Sequence, residues 1–263
     1  MHILGYFFAI IIGLVMGLIG GGGSILSVPV FAYMFHIDAI TATALSLFVV
    51  GVTSSVGSVS FIRQGHVNFT TAYRFGIPSI LGILFSRRLV LPHLPEYIIH
   101  RWGITLTKDM FILILFAVLM LFSSIKMIQK KERIRKPKYD ETNYTLLVSQ
   151  GLLVGIVTGF IGAGGGFLIV PALVMLLGVS MKEAVATSLF IISINSLIGF
   201  ASSLDKITVD WNFLLTFTAL SIIGILIGVA LAKKIEGRKL KPIFGWFVLT
   251  MGIWIIIKEL LLN

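Results

Sequence analysis

The chain has no cysteine among its 263 residues. That excludes disulfides, thiolate metal sites and cysteine nucleophiles, and leaves the compartment open. Charge is scarce too. Asp, Glu, Lys and Arg make up 12% of the sequence, about half the share of a soluble domain. Acid is the scarcer sign, with 11 Asp and Glu against 21 Lys and Arg. No carboxylate falls clearly in the middle of an apolar run. Asp38, Asp109, Glu183, Asp205 and Asp210 all lie near boundaries, so a carboxylate proton relay of the usual pump type is not visible. His2, His36, His66, His93 and His100 lack metal-ligand spacing. Neither H-E-x-x-H nor G-x-S-x-G occurs. The sequence points to no enzyme, no metal and no cofactor, and an ATP drive would need a partner.

What fills the chain is apolar sequence. Hydrophobic residues make up 57% and mean hydropathy is +1.03. A soluble fold of this length would have no water-compatible surface, so an integral membrane protein is expected. Runs of about twenty apolar residues between short polar breaks indicate helices, not barrel strands of period two. The apolar segments are 3–19, 24–36, 40–62, 72–91, 109–128, 145–162, 166–178, 182–203, 212–232 and 242–261. Residues 3–19 lack a basic start and a cleavage site, so they read as a mature membrane segment. The net charge of +10 comes from Lys and Arg flanking apolar segments, as membrane topology requires, so no nucleic acid is expected. Trp102, Trp211, Trp246 and Trp254 suit interface anchors or lipid-facing bulk.

The sequence is duplicated. GLIGGGGSILSVP at 17–29 returns as GFIGAGGGFLIVP at 159–171, an offset of 142 residues. At that offset Ala42, Ala44, Ser46, Leu47 and Phe48 match Ala184, Ala186, Ser188, Leu189 and Phe190. Gly57 matches Gly199, and Gly82-Ile83-Leu84 matches Gly224-Ile225-Leu226. Asp38 and Ser180 correspond as N-caps, and Ser180 to Glu183 has capping-box spacing. The expected organisation is a first membrane repeat over 1–128, a basic cytoplasmic linker over 129–143 and a second membrane repeat over 144–263. The expected fold is all-α: a polytopic helical membrane protein of two homologous, inverted repeats with glycine-broken helices.

Inversion follows from charge and length. If each glycine-broken segment crossed once, Lys and Arg would divide 11 against 10 between the two sides, which is no bias at all. If each turns back at its glycines, only Arg87, Arg88, Arg101, Lys108, Lys206 and Lys258 leave the basic side. The linker and the basic turn Lys233–Lys241 then share the cytoplasm. Residues 3–36 as one straight helix would also run about 50 Å, far beyond a hydrocarbon core of roughly 30 Å. Three full spans per half remain, which inverts the halves and puts both termini outside.

The glycine clusters are the candidate binding elements: Gly20, Gly22 and Gly23 with Ser24, and Gly162, Gly164, Gly165 and Gly166. Glycine inside a helix opens it. A helix restarting at Ser24 or Gly166 would present free N–H groups and a positive dipole end, which favour anions. Close helix packing through small residues is the plainer alternative. Thr43, Ser46, Thr53, Ser54 and Ser55 in one half, and Thr187, Ser188, Ser193, Asn195 and Ser196 in the other, offer hydrogen bonds, although most Ser and Thr bond back to their own helix. Ser46 and Ser188 are preferred because they are equivalent, and Asn195 because it is the costliest to leave unpaired. Arg63, Arg74, Arg87 and Arg88 sit near predicted span ends, where snorkelling is the default. Arg63 alone is carried as a candidate substrate contact.

With its two glycine motifs and the stretches Ala44-Leu45-Ser46-Leu47-Phe48 and Ala186-Thr187-Ser188-Leu189-Phe190, the chain resembles the TauE/SafE family of membrane permeases, also called the sulfite exporter family. The resemblance spans about residues 5–260. The first motif departs slightly, Gly20-Gly21-Gly22-Gly23-Ser24 against Gly162-Ala163-Gly164-Gly165-Gly166, and residues 92–108 look like an insertion. The resemblance implies transport of small sulfur-containing anions, such as sulfite, sulfoacetate or other organosulfonates, in a prokaryotic inner membrane. The expected partners are a small anionic substrate and membrane lipid, and a homo-oligomer stays open. A monoanion leaving a negative interior gains roughly 2.3 kcal/mol per 100 mV, so export is feasible. The competing readings are a permease of the same fold for another solute and a non-transporting membrane scaffold.

Overall fold

The computed structural model describes residues 2–101, 104–128, 144–162, 164–177, 180–232 and 237–261. The linker 129–143, Ala163 and Trp102 lie outside them. Helix α1 (His2–Ile19) ends at Gly20, and a return segment follows. It consists of a 3-10 turn (Gly21–Leu26), the short α2 (Ser27–Pro29) and a π-helical turn (Val30–Met34). Next come α3 (Ala39–Arg63) and α4 (Phe69–Leu84). The latter continues through a π-helical turn (Phe85–Val90) into a 3-10 turn (Leu91–His93). A hairpin, β1 (Tyr97–Arg101) and β2 (Ile104–Thr107), leads to α5 (Lys108–Ile128). The rest is α6 (Tyr144–Ile161), α7 (Gly166–Leu177), α8 (Met181–Ala201), a 3-10 turn (Leu204–Lys206), α9 (Trp211–Ala232) and α10 (Gly237–Leu261).

Five stretches are long and apolar enough to cross a membrane: Ala39–Arg63, Phe69–His93, Lys108–Ile125, Lys182–Lys206 and Trp211–Ala232. Shorter apolar helices cover Leu4–Ile19 and Leu147–Ile161. Large apolar side chains also point outward, Leu153 with 60% and Phe122 with 60% exposure. A lipid solvent accommodates such a surface and water does not. The protein is a multi-pass helical membrane protein. The two-stranded antiparallel hairpin is the one departure from all-α among the described residues, and it fills the 92–108 stretch that the second half lacks.

Local chemistry sets the helix starts. Asp38 accepts from Thr41 N at 2.9 Å before α3, and Asn68 accepts from Thr71 N at 3.0 Å before α4. Ser180 Oγ accepts from Glu183 N at 3.3 Å before α8, as the capping-box spacing predicts.

Helix α1 packs on α9, and α6 packs on α4. These two seams run backbone against backbone. A Cβ on Gly13 would overlap Ser221 O, and one on Gly155 would overlap Ser79 O. Both contacts recur at the offset of 142 residues, since Gly155 and Ser79 are the counterparts of Gly13 and Ser221. This is small-xxx-small packing, in which missing side chains let the backbones approach. Helix α3 packs on α8 and α5 on α10. Aromatic rings fill the space between α1, the return segment and α9, with Phe31 and Phe217 centroids 4.7 Å apart.

Four hydrogen bonds tie the ends of the elements together. Asn68 Nδ2 donates to Glu183 Oε1 at 3.0 Å, and Asn68 N donates to Thr187 Oγ1 at 3.0 Å. Arg87 Nη1 donates to Ser203 Oγ at 3.1 Å. Tyr33 OH donates to Glu259 Oε1 at 2.8 Å. Helices α4 and α8 therefore run in the same direction, joined midway where Asn195 Nδ2 donates to Ser79 Oγ at 2.8 Å.

Candidate functional site

The glycine turns take backbone conformations that side chains resist. Gly20 has φ +80°, Gly162 +71°, Gly164 +65° and Gly165 +70°, all in the left-handed region. Gly162 N still donates to Thr158 O at 2.9 Å, which closes α6, and the next helix resumes where Leu168 N and Ile169 N both reach Gly165 O at 2.9 Å. α7 thus restarts at Gly166 as expected, and amides ahead of Leu168 have no partner within the helix. The first half differs. Its chain resumes at Gly21 as a 3-10 turn rather than as an α-helix at Ser24. Four glycines supply almost no α-helical preference, and packing decides instead. Gly21 lies against Gly166, and a Cβ on Gly23 would sit 2.5 Å from Met16 N. Gly22 lies within this turn, and the Ser24 side chain is outside the described part.

Each glycine turn rests against the long helix of the other half. A Cβ on Gly20 would lie 3.1 Å from Val185 Cγ1 and 3.3 Å from Ser188 Oγ. One on Gly162 would overlap Thr43, the counterpart of Val185. One on Gly164 would stand 2.6 Å from Val50 Cγ1, 2.7 Å from Ser196 Oγ and 3.0 Å from Ile192 Cγ2. Gly165 instead packs on its own α6, against Thr158.

Helices α3 and α8 cross antiparallel. Gly51 meets Leu197, Gly57 meets Leu189, and the Phe48 and Phe200 rings are 5.0 Å apart. Reading inward along these pairs, the helices meet at Thr53 and Asn195, which are each other's counterparts. The polar side chains there are fully withdrawn from solvent. Ser46, Thr53, Ser54, Ser188 and Ser196 are 0% exposed and Asn195 is 1%. Ser188 Oγ bonds back to Val185 O at 2.9 Å, as do Thr43 Oγ1 to Ile40 O at 2.8 Å and Ser55 Oγ to Gly51 O at 2.8 Å. Ser46 Oγ, Thr53 Oγ1, Ser54 Oγ, Ser196 Oγ and Asn195 Oδ1 make no hydrogen bond among the described residues. Two counterpart pairs, Thr53 with Asn195 and Ser54 with Ser196, therefore both keep unused polar atoms. An unsatisfied buried group costs about 1–3 kcal/mol, so four such residues at one crossing call for a function. Hydroxyls can donate to an anion. Turning the Asn195 amide end for end keeps its bond to Ser79 and offers its NH2 group instead.

Gly164 meets Ser196 and Gly20 meets Ser188, Asn195 lies at the crossing, Gly162 packs on Thr43, and Ser46 is buried with an unused hydroxyl two turns before Thr53 on α3. Ser188 lines the site with its hydroxyl already committed. Arg63 does not join it: it stands exposed in the last turn of α3, nine residues beyond Ser54. Ser54 and Ser196 outrank Ser188, and the signal was available in the duplication, because both are serine at equivalent positions. Two other residues escaped notice. Arg87, grouped with snorkelling arginines, is 2% exposed, and Glu259 is 2% exposed. Glu259 borders a pocket of about 260 Å³ with Tyr33, Asp38, Asp109 and Lys258. Three carboxylates against one ammonium make that pocket unsuited to an anion, and no three carboxylate or imidazole groups approach closely enough for a metal among the described residues.

The family description Sulfite exporter TauE/SafE matches residues 6–255. A probable membrane transporter protein of Xylella fastidiosa is 27% identical over 94% of this chain and 91% of its own length. Probable membrane transporter protein MJ0441 of Methanocaldococcus jannaschii is 24% identical over 94% of both chains. Probable membrane transporter protein YunE of Bacillus subtilis is 25% identical over 92% of this chain and 94% of its own. No solved structure matches significantly.

Proposed function

Because the chain belongs to the sulfite exporter TauE/SafE family, in which its curated relatives are named as membrane transporters, we propose that it is a secondary transporter of small sulfur-containing anions such as sulfite or organosulfonates. The substrate is held where α3 and α8 cross, between Ser46, Thr53, Ser54, Asn195 and Ser196, with the glycine turns at Gly20 and Gly162–Gly166 closing over it. The observation that carries this reading is the set of unused polar atoms at counterpart positions in the membrane interior. Neutral hydrogen-bond donors and the positive ends of interrupted helices suit a compact anion that must leave again.

The two halves are inverted repeats, which supports alternating access. Single crossings of the glycine-broken segments would put Asn68 and Glu183 on opposite faces, and likewise Arg87 and Ser203, and Tyr33 and Glu259. All three pairs are hydrogen-bonded. The inner membrane of a prokaryote, with the 129–143 linker in the cytoplasm, fits the distribution of Lys and Arg. Purified protein in liposomes should move sulfite, sulfoacetate or thiosulfate in preference to sulfate and chloride, and Ser54→Ala with Ser196→Ala should slow it. Flux of none of these anions would sink the reading in favour of a scaffold, and flux of a cation would favour the other permease.

A further inference from the structure

Arg87 is the one arginine that the fold has taken wholly inside among those described. Its neighbour Arg88 is exposed and Arg87 is not, so snorkelling accounts for Arg88 alone. Arg87 continues the buried face of α4 one turn beyond Ile83, into the π-helical turn Phe85–Val90, while Arg88 points away. Ser86 Oγ pins that turn to α6 by donating to Ile156 O at 2.7 Å. A hydroxyl meets the guanidinium, and a second cation meets the Arg87 backbone. Nη1 donates to Ser203 Oγ at 3.1 Å, Ser203 Oγ also reaches Gly199 O at 3.1 Å, and Lys206 Nζ lies 3.5 Å from Arg87 O. Asp205 is exposed and does not pair with it. Nε and Nη2 have no hydrogen-bond partner among the described residues.

These two atoms form a single edge of the guanidinium, the fork that grips two oxygens of a carboxylate, sulfite, sulfonate or phosphate. A buried charge without a counter-charge is costly. The fold itself does not require it: the counterpart of Arg87 in the second half is Val229, also buried, on a helix with the same backbone seam. We propose that Arg87 is an oxyanion-binding residue, whose free edge holds the cargo anion at one mouth of the path and gives that mouth a selectivity the other lacks. This rests on the anion-transport reading for the identity of the cargo. The same chemistry would also take the phosphate of a lipid headgroup.

The test uses full-length protein in phosphatidylcholine nanodiscs and liposomes, with Arg87→Met and Arg87→Lys as variants. Without added anion, Arg87→Met should melt no lower than wild type, since it removes an unpaired charge. Added sulfite should raise the wild-type melting temperature, raise that of Arg87→Met distinctly less, because only the α3–α8 site remains, and act between the two on Arg87→Lys, which keeps charge but not the fork. In oriented liposomes, Arg87→Met should raise the apparent KM for sulfite offered at the Arg87 mouth by about tenfold or more, the scale of one charge-assisted contact, and leave the other mouth within about twofold. If phosphatidylglycerol rather than sulfite gives the Arg87-dependent stabilisation, the oxyanion is a lipid phosphate. An equal sulfite shift in wild type and Arg87→Met, or a lower melting temperature of the anion-free variant, overturns the proposal. Wild-type sulfite transport with an unchanged KM in Arg87→Met at both mouths does so too, while transport survives. Arg87-dependent stabilisation without any flux would instead defeat the transport reading and leave the oxyanion site.

Discussion

Gly164 and Gly65 make a controlled pair. Their φ angles are +65° and +69°, so an alanine at either suffers the same left-handed strain, about 1–2 kcal/mol. Their surroundings differ. A Cβ at Gly65 meets nothing within 4 Å. At Gly164 it meets Val50, Ser196 and Ile192 at 2.6, 2.7 and 3.0 Å, and all three must yield. Overpacking of this kind costs roughly 1–3 kcal/mol. Gly164→Ala should therefore be less stable than Gly65→Ala by about that amount. Equilibrium unfolding in mixed micelles measures both.

The double variant Gly164→Ala with Val50→Ala removes the closest obstruction. It should recover a large part of the difference, with a coupling of about 1 kcal/mol. Sulfite flux should fall in Gly164→Ala and survive in Gly65→Ala, because only the first displaces Ser196. Equal destabilisation at the two glycines, or strict additivity in the double variant, would refute the claim that this turn is pressed against the α3–α8 crossing.

Ser54→Ala and Ser196→Ala remove hydroxyls that bond nothing among the described residues, so each should leave stability unchanged or raised by about 1 kcal/mol while weakening sulfite binding; a melting point well below wild type would show that the hydroxyls are structural. The absence of cysteine makes single-cysteine labelling clean: Asp38→Cys and Asp205→Cys should label from one face of the membrane, and Gln64→Cys and Lys182→Cys from the other. Any other grouping defeats the turn-back arrangement. Tyr33→Phe loses a hydrogen bond to a buried carboxylate and should cost about 1.5–3 kcal/mol, read as a lowered unfolding midpoint; no change would mean that the Glu259 contact does not hold the return segment.

Much of this fold could be read from apolar run lengths and punctuation. The expected segments 40–62, 145–162 and 212–232 are α3, α6 and α9 to within a residue or so at each end, because polar or glycine breaks bound each run. Side-chain facing could not be read. Arg87 and Arg88 are adjacent and chemically identical, and only Arg87 lies on the buried face that α4 carries forward from Ile83. Nothing in residues 85–90 says which face of that helix α8 covers. Ser188 and Ser46 looked alike as repeat partners, yet only Ser188 turns back on its helix, a choice of rotamer. The 3-10 turn after Gly20 was equally hidden, since it depends on the contact of Gly21 with Gly166, more than 140 residues away.

The seams bear on how access could alternate. Helix α1 of the first half is locked to α9 of the second by backbone contacts at Gly13, Gly17, Gly224 and Gly228. Helix α6 is locked in the same way to α4 at Gly82, Gly151 and Gly155. Sliding either seam would carry the side chains that flank these glycines onto the partner helix's carbonyls. The α3–α8 crossing is different: its close contacts run through the side chains of Leu47, Leu197, Phe48 and Phe200, which can change rotamer. On the transport reading, the bodies that rock are therefore not the two sequence halves. Each is a pair drawn from both halves, α1 with α9 and α4 with α6, turning about the crossing where the substrate sits. Cysteines at Phe48 and Phe200, whose rings are 5.0 Å apart, joined by a short bifunctional reagent, should stop sulfite flux without preventing its binding. Undiminished flux in the fully cross-linked protein would mean that this crossing does not open.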